Sequence, residues 1–256
     1  MTDRLAARRY DDPCGIARAL SVVGERWALL VVRELVFGPK RFADLRRGLG
    51  GISPNVLSQR LAELESQAIV SRTTLGPPVS TGVYQLTDHG RGLLPVLDAL
   101  AFWGSRLPIT SERELSRDAL LFAMRSTVRT EVTSTPLVRV VLDGVGWDAA
   151  VDGGVLEWRP PLGPSAATLA TTAPVLRALV FGDLDLETAV QSGQANVNGD
   201  LGDVGLFIAA FERPQLSSQQ KPDHHELTTT PAAPHRTPPH QDRSSETGPD
   251  GLDRQG

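Results

Sequence analysis

Residues Ile52 to Gln67 read ISPNVLSQRLAELESQ, and this stretch decides the fold of the first half of the chain. Ser53 can cap the free amides of a helix, and Pro54 suits the first helical position, where a missing N–H costs nothing. Apolar residues then recur at helical spacing and predict one buried stripe, formed by Val56, Leu57, Leu61, Leu64 and Ala68. The opposite face is polar or small, so this helix can approach base edges in a DNA major groove.

The sequence before this helix predicts a helical scaffold. Residues 26–37 are apolar nearly all round, which indicates a buried central helix that Gly38-Pro39 ends. A short helix over Phe42–Gly48 and a turn at Gly50-Gly51 then lead into Ser53. A short helix, a glycine-containing turn and a capped second helix together form a helix-turn-helix.

The sequence after the helix predicts a β-hairpin and then a long apolar helix. Strands over 69–75 and 83–86 flank GPPVST, which forms the tip of a hairpin that would serve as a wing. Thr87 can cap the next helix, whose wide apolar stripe ends at Trp103. Such a stripe either lies at a dimer interface or packs against the second half of the same chain, and we favour the dimer.

The second half predicts an α+β domain with an antiparallel sheet. Ser111 and Glu114 predict a capping box for a helix that reaches about residue 129. We expect strands over 137–142, 147–151, 155–159, 167–171 and 195–197, and helices over 175–181, 184–191 and 201–211. From about residue 213 the composition changes to Ser, Thr, Gln, Pro and His, which predicts a disordered tail. The expected domains are therefore residues 1–106 and 107–212, followed by the tail over 213–256.

Composition and charge limit the possible functions. The 256 residues are 40% hydrophobic and 22% charged, with one cysteine, a charged N-terminus and no long apolar run, so we expect a cytoplasmic protein without a membrane span. Residues 1–106 carry 14 Lys/Arg and 10 Asp/Glu, whereas residues 107–211 carry 7 and 13, so only the first segment is basic. GxSxG, P-loop, GxGxxG and HExxH motifs do not occur, and we predict neither an enzyme nor a cofactor or metal site.

Residues 12–104 resemble the HxlR-type winged-helix transcription regulators, a group similar to the MarR regulators. The matching segments are Cys14, GERWALLVVREL from Gly24, GPKRFADLRRGLGGIS from Gly38, VLSQRLAELE from Val56 and TGVYQLTDHGRGLLPVLDALAFWG from Thr81. The resemblance implies a homodimer that binds a roughly palindromic operator. Cys14 is followed by Gly15, where the family often has proline. Some members use that cysteine as a redox sensor, whereas for Cys14 we favour a small buried core residue.

The second half resembles the sterol carrier protein-type lipid-binding domain. The matching features are the turn at Asp152-Gly153, ATLATT from Ala167, LRALVFG from Leu176 and GQANVNGD from Gly193. The resemblance implies an apolar tunnel that binds a small hydrophobic effector. The alternative is a dimerisation or packing domain with a filled core. A second functional class is a lipid or acyl carrier whose winged helix serves only for dimerisation or protein interaction.

The predicted DNA-binding residues lie on the helix that opens at Ser53, at the entrance to the helix-turn-helix and in the wing. Base edges are expected to be read from the outward face of the helix, by Ser53, Asn55, Ser58 and Gln59. Phosphate contacts are expected from the cations Lys40, Arg41 and Arg60 and from Thr81 in the wing. The competing interpretations are a solvated helix face and plain solubilising charge.

Overall fold

The computed structural model describes residues 10–76, 81–108, 111 and 113–212, so the predicted wing tip and tail lie largely or wholly outside the described residues. The described residues of the first half form six helices and a hairpin: α1 (Gly15–Val23), α2 (Ala28–Leu35), α3 (Phe42–Gly48), α4 (Pro54–Ser66), β1 (Val70–Leu75), β2 (Thr81–Leu86), α5 (Asp88–Arg91) and α6 (Leu94–Gly104). β1 and β2 pair antiparallel, from Val70 opposite Leu86 to Leu75 opposite Thr81. This order is that of a helix-turn-helix followed by a wing.

Side-chain caps determine where α4 and α5 begin. The Ser53 hydroxyl accepts a hydrogen bond from the Val56 amide at 3.3 Å, as the sequence predicts. The Thr87 hydroxyl accepts one from the Gly90 amide at 3.0 Å. Each bond satisfies a backbone donor that the first turn of a helix leaves free, and such caps are worth about 1 kcal/mol.

The core of the first half surrounds α2, whose Val31, Val32 and Leu35 are almost wholly buried. The stripe on α4 packs against it through three leucines, Leu57, Leu61 and Leu64. The predicted stripe is wrong at both ends, because Val56 and Ala68 are exposed. Ala68 lies beyond the last turn of α4 with a φ of +53°, so it no longer follows the helical period.

The described part of the second half contains a five-stranded sheet with four helices. Its elements are α7 (Arg117–Arg125), β3 (Val138–Leu142), β4 (Val145–Asp152), β5 (Val155–Arg159), β6 (Ala167–Thr171), α8 (Ala173–Phe181), α9 (Leu186–Gln191), β7 (Asn196–Gly199) and α10 (Leu201–Ala209). The strand order is β5-β4-β3-β6-β7. The α+β class is as predicted, but the prediction of an antiparallel sheet is wrong, because β3 and β6 pair parallel and the sheet is mixed.

The register of the sheet explains how a short loop produces a parallel pair. Asp148 pairs with Arg139 on one side and with Arg159 on the other, so β5 ends level with the start of β3. β6 begins level with that point too, since Ala167 pairs with Val138. The loop over 160–166 therefore only has to cross three strand spacings, roughly 14 Å, and seven residues can reach roughly 23 Å.

Asp148 fastens this crossing loop to the sheet. Its carboxylate accepts bonds from the Arg139 guanidinium at 2.7 and 3.1 Å and from the Leu162 amide at 2.9 Å. Arg139 also donates to the Gly163 carbonyl at 2.6 Å. The bond from Arg139 is the main reason why the pKa of Asp148 lies below its usual range, and the Leu162 amide acts in the same direction while burial opposes both.

The predicted capping box of the first helix in the second half is wrong. α7 begins after Ser116, whose hydroxyl accepts from the Ala119 amide at 3.0 Å. Ser111 instead accepts from the Arg113 amide at 3.2 Å, ahead of the helix. The Ser116 hydroxyl also donates to Glu34 on α2 at 2.6 Å, and this long-range bond is the reason why a sequence pattern points to the wrong serine.

The two halves share their cores through α7. Phe122 of α7 is buried in the core of the first half, whereas Leu120, Leu121 and Met124 are buried in the core of the second. Burying a phenylalanine side chain contributes roughly 1.5–3 kcal/mol. Arg125, at the end of α7, adds a two-bond contact with Asp98 of α6, both at 2.9 Å. α7 is therefore a structural part of both halves.

We expect the Asp148 cluster to make the stability of the chain depend on pH. Because the folded pKa is lowered, the stabilisation is complete above the unfolded pKa of about 4 and decreases as the pH falls through the folded pKa. Asp148→Asn should lower the free energy of unfolding by about 2 kcal/mol at pH 7 and by clearly less at pH 3. Urea unfolding at both pH values measures this. Asp152→Asn, an exposed change on the same strand, is the control, and an equal loss at both pH values would contradict the prediction.

Candidate nucleic-acid interface

The outward face of α4 carries the predicted base-reading residues. Asn55, Ser58 and Gln59 are all exposed, as is Ala62 one turn further on. Ser53 is exposed as well, but its hydroxyl is used by the cap. The structure therefore brings three polar side chains together on the first two turns of α4, and they can donate to and accept from base edges.

Arg60 lies behind this face and not on it. Its residue is only 5% exposed, and its guanidinium contacts Glu63 at 2.6 Å and Glu25 at 3.5 Å. The other carboxylate oxygen of Glu63 accepts from the Gln59 amide at 3.0 Å. Arg60 is thus poorly placed to clamp a phosphate, which corrects the sequence prediction. Through Glu63 it instead helps to orient Gln59.

Lys40 is also occupied within the protein. Its ammonium lies 2.5 Å from the Asp118 carboxylate and 3.6 Å from that of Glu34, and its side chain is only 11% exposed. The predicted phosphate contact from Lys40 does not fit this position. The neighbouring Arg41 is exposed and precedes α3, so it remains the free cation at this entrance within the described part.

Glu34, Lys40, Ser116 and Asp118 form a buried polar cluster between the halves. Glu34 is fully buried and accepts from Ser116 at 2.6 Å and from the neighbouring Arg33 at 2.7 Å. A Cβ on Gly48 would collide with the Glu34 carboxylate, so α3 approaches this cluster too closely for any larger residue. The cluster therefore fixes α2, α3 and α7 relative to one another.

The wing is attached to the same cluster by its backbone. The Lys40 amide donates to the Tyr84 carbonyl at 2.9 Å, and the Tyr84 amide donates to the Lys40 carbonyl at 2.8 Å. These bonds join the entrance of α3 to β2. One lysine thus links the wing through its main chain and the second half of the molecule through its side chain.

The wing adds a cation that the sequence prediction missed. Arg72 on β1 is exposed and lies over the Tyr84 ring, 5.8 Å from its centroid, on the directly paired residue of β2. The alternation of the strand is the signal that places both side chains on one face. Thr81 is half-buried at the distal end of β2, beside residues 77–80, which are not described.

Cys14 is exposed, so the preferred prediction of a buried core residue is wrong. Its sulfur occupies the cap position of α1 and accepts from the Ala17 amide at 3.5 Å. A polar residue usually takes this position. The capping role explains why the side chain points out of the core.

The core of the second half is filled by side chains where the sequence suggests a tunnel. Phe207 is wholly buried and meets Trp158 and Phe211 edge to face, with ring centroids 6.3 and 5.3 Å apart. Trp158 also donates to the Leu121 carbonyl at 3.1 Å. Leu206 is exposed on the outside of α10 and does not take part in this core. Phe181 instead lines a groove between the two halves.

These features define the class of the protein: a winged helix-turn-helix with a polar recognition helix, joined to an α+β domain. Residues 22–111 match the family model of the HxlR-like helix-turn-helix. The HTH-type transcriptional regulator YvaP of Bacillus subtilis is 34% identical over 88 residues, which are 34% of this chain and 82% of that protein. The chain belongs to the HxlR-like helix-turn-helix family.

Two further relatives match the same part of the chain. The HTH-type transcriptional regulator Rv3095 of Mycobacterium tuberculosis is 40% identical over 89 residues, which are 35% of this chain and 56% of that protein. The solved structure of the reduced transcriptional regulator YodB from B. subtilis is 31% identical, with 40% of this chain and all of that chain covered and a TM-score of 0.34. In the described part of this chain, no helix is both long and apolar enough to cross a membrane.

Replacing Lys40 tests its structural role against a phosphate contact. Lys40→Met keeps the apolar stem and removes the charge, so the buried carboxylates of Glu34 and Asp118 each lose one cationic partner and keep only Arg33 and Arg117, respectively. We expect the free energy of unfolding to fall by about 3–5 kcal/mol. Arg41→Met changes an exposed neighbour and should shift it by less than about 0.5 kcal/mol. Urea unfolding at pH 7 compares the two variants, and equal midpoints would show that Lys40 is not structural.

Proposed function

We propose that this chain is a DNA-binding transcriptional regulator that reads a roughly palindromic operator as a homodimer. The observation that carries the proposal is the exposed triad Asn55, Ser58 and Gln59 on a capped α4, in a chain of the HxlR-like family. Arg41, Arg46 and Arg72 are exposed and supply the phosphate contacts, while the triad supplies the base contacts. A carrier whose winged helix serves only for dimerisation or protein interaction is disfavoured, because the relatives are named as regulators.

The outward face of α6 supports the homodimer. Leu97 is buried and Ala101 packs against the core, whereas Val96, Leu100 and Trp103 on the other side are 47%, 46% and 62% exposed. These three residues recur at helical spacing, so they form a continuous apolar stripe that the described residues leave exposed. The competing prediction, in which the second half covers the stripe, does not match the exposure of these residues. A second copy of the chain is the partner we propose.

A homodimer gives the operator its symmetry. Two copies of α4 would enter successive major grooves about 34 Å apart, so the distance between them decides how well they match the half-sites. An effector that prefers one distance shifts the population toward it. The second half is the part of the chain that we propose to contribute to the binding of such an effector.

The base-reading proposal is tested with Asn55→Ala/Gln59→Ala. The double variant should lose about a hundredfold in affinity for a specific operator fragment, because each base contact contributes roughly 1–3 kcal/mol. Gel shifts with DNA from the promoter region of the gene itself, at a stated salt concentration, measure this. Ser66→Ala, at the far end of α4, should bind like the wild type. A wild type without sequence preference would refute the proposal.

The phosphate contacts are tested separately, by the salt dependence of DNA binding. Arg41→Ala and Arg72→Ala should weaken specific and non-specific binding alike, and each should lower the slope of log affinity against log salt by about one. A loss confined to the specific operator would contradict a phosphate role.

The dimer is tested at its most exposed side chain. Trp103→Glu places a charge in the apolar stripe and should convert a dimer into a monomer at micromolar concentration, with an unchanged circular dichroism spectrum. Light scattering coupled to size exclusion measures the mass. Leu162→Glu, a leucine that is 76% exposed on the other half, is the control and should remain dimeric. A dimeric Trp103→Glu variant would place the interface elsewhere.

A further inference from the structure

A groove of about 810 Å³ lies between the winged helix and the second half. On one side it is lined by Leu30 of α2 and by the turn Gly48–Gly50, which precedes α4. On the other side lie Ala119 and Ala123 of α7 and Phe181 of α8. This volume is in the range of sites that enclose small ligands.

The groove combines an apolar floor with an excess of guanidinium groups. Arg33, Arg47, Arg113 and Arg177 contribute to its lining, and Glu114 is the one carboxylate among the described lining residues. Three of these cations have carboxylate neighbours: Arg33 contacts Glu34 at 2.7 Å, Arg47 contacts Asp44 at 3.2 Å and Arg177 contacts Glu114 at 3.9 Å. Arg113 is therefore the guanidinium that an anion can pair with above the leucine, alanine and phenylalanine side chains.

Arg113 is the cation best suited to receive that anion. Among the described residues, no hydrogen bond or ion pair of its guanidinium is present. The guanidinium lies against the backbone of the turn before α4: a Cβ on Gly50 would collide with it, and one on Gly51 would lie 3.1 Å away. Gly50 and Gly51 both have positive φ, so this turn needs glycine for its conformation.

We propose that the groove binds a small amphiphile with one carboxylate, whose apolar body lies on Ala119, Ala123 and Phe181 and whose carboxylate pairs with Arg113. The guanidinium of Arg113 favours an anion, and the apolar floor favours a hydrocarbon chain or ring over a sugar-phosphate backbone. A carboxylate held by a guanidinium forms a strong, charge-assisted bond. The guanidinium and the apolar floor together thus define the ligand class as an amphiphilic carboxylate.

The position of Arg113 couples this site to DNA binding, and this step rests on the proposed regulatory function. Two residues separate Gly50 from Ser53, the cap of the recognition helix α4. A carboxylate that draws Arg113 away from the turn removes the packing that supports it, so operator affinity should fall. By thermodynamic reciprocity, operator DNA should weaken ligand binding by the same factor, typically 5- to 150-fold.

The binding step is tested on the full chain with 1-anilinonaphthalene-8-sulfonate as a fluorescent anionic probe, displaced by octanoate. Octan-1-ol, which lacks the charge, should displace the probe about tenfold less well. Arg113→Gln should remove that difference, and Ala123→Leu, which fills the floor, should weaken both competitors. Arg159→Gln, an exposed change at the end of β5, should behave like the wild type.

The outcomes separate the two proposals. If Arg113→Gln or Ala123→Leu binds octanoate as the wild type does, or if octanoate does not displace the probe, the groove assignment is wrong. Octanoate should also lower the affinity of the wild type for its operator about fivefold in a gel shift. It should leave the operator affinity of Arg113→Gln unchanged. If octanoate displaces the probe as expected but the protein binds no specific operator, the regulatory function is refuted and the groove assignment stands. Specific operator binding that octanoate leaves unchanged would refute the coupling.

Discussion

A lysine buried between two carboxylates joins the parts of this molecule. Lys40 meets Glu34 of the central helix and Asp118 of the second half, and its main chain pairs with Tyr84 of the wing. A buried charge is costly without a partner, so these three groups must stay together for the fold to be stable. The wing and α7 are consequently joined through one residue at the entrance to α3, the wing by the main chain of Lys40 and α7 by its side chain.

The charged groups behind α4 are likewise paired within the protein. Glu63, held by Arg60, accepts a hydrogen bond from the amide of Gln59, so a side chain that we propose to read bases is already oriented in the free protein. Pre-ordering a long side chain reduces the entropy that is lost on binding. The groove beside Arg113 adjoins the turn that leads into the cap of this helix.

The sequence predicts local features of the fold well and long-range ones poorly. Ser53 and Thr87 cap helices because the necessary donors lie three residues away, and α3 spans the predicted Phe42–Gly48. The mixed sheet depends on a register offset among distant strands, which periodicity does not contain. The same limitation applies to charge. The sequence does not distinguish a cation that faces solvent from one that pairs with a carboxylate about eighty residues away. The prediction therefore assigns Lys40 to a DNA phosphate.

Phe122 and Asp118 change where the first module of this chain ends. The family match stops at residue 111, yet the core that it describes is completed by a ring, and its buried lysine by a carboxylate, from the following helix. A designer who grafted another effector domain onto this winged helix would therefore have to carry α7 along as far as Arg125. Alternatively, the donor domain would need its own aromatic ring and acidic residue at the equivalent places. The segment that must be transferred as a unit extends beyond the residues that match the family model.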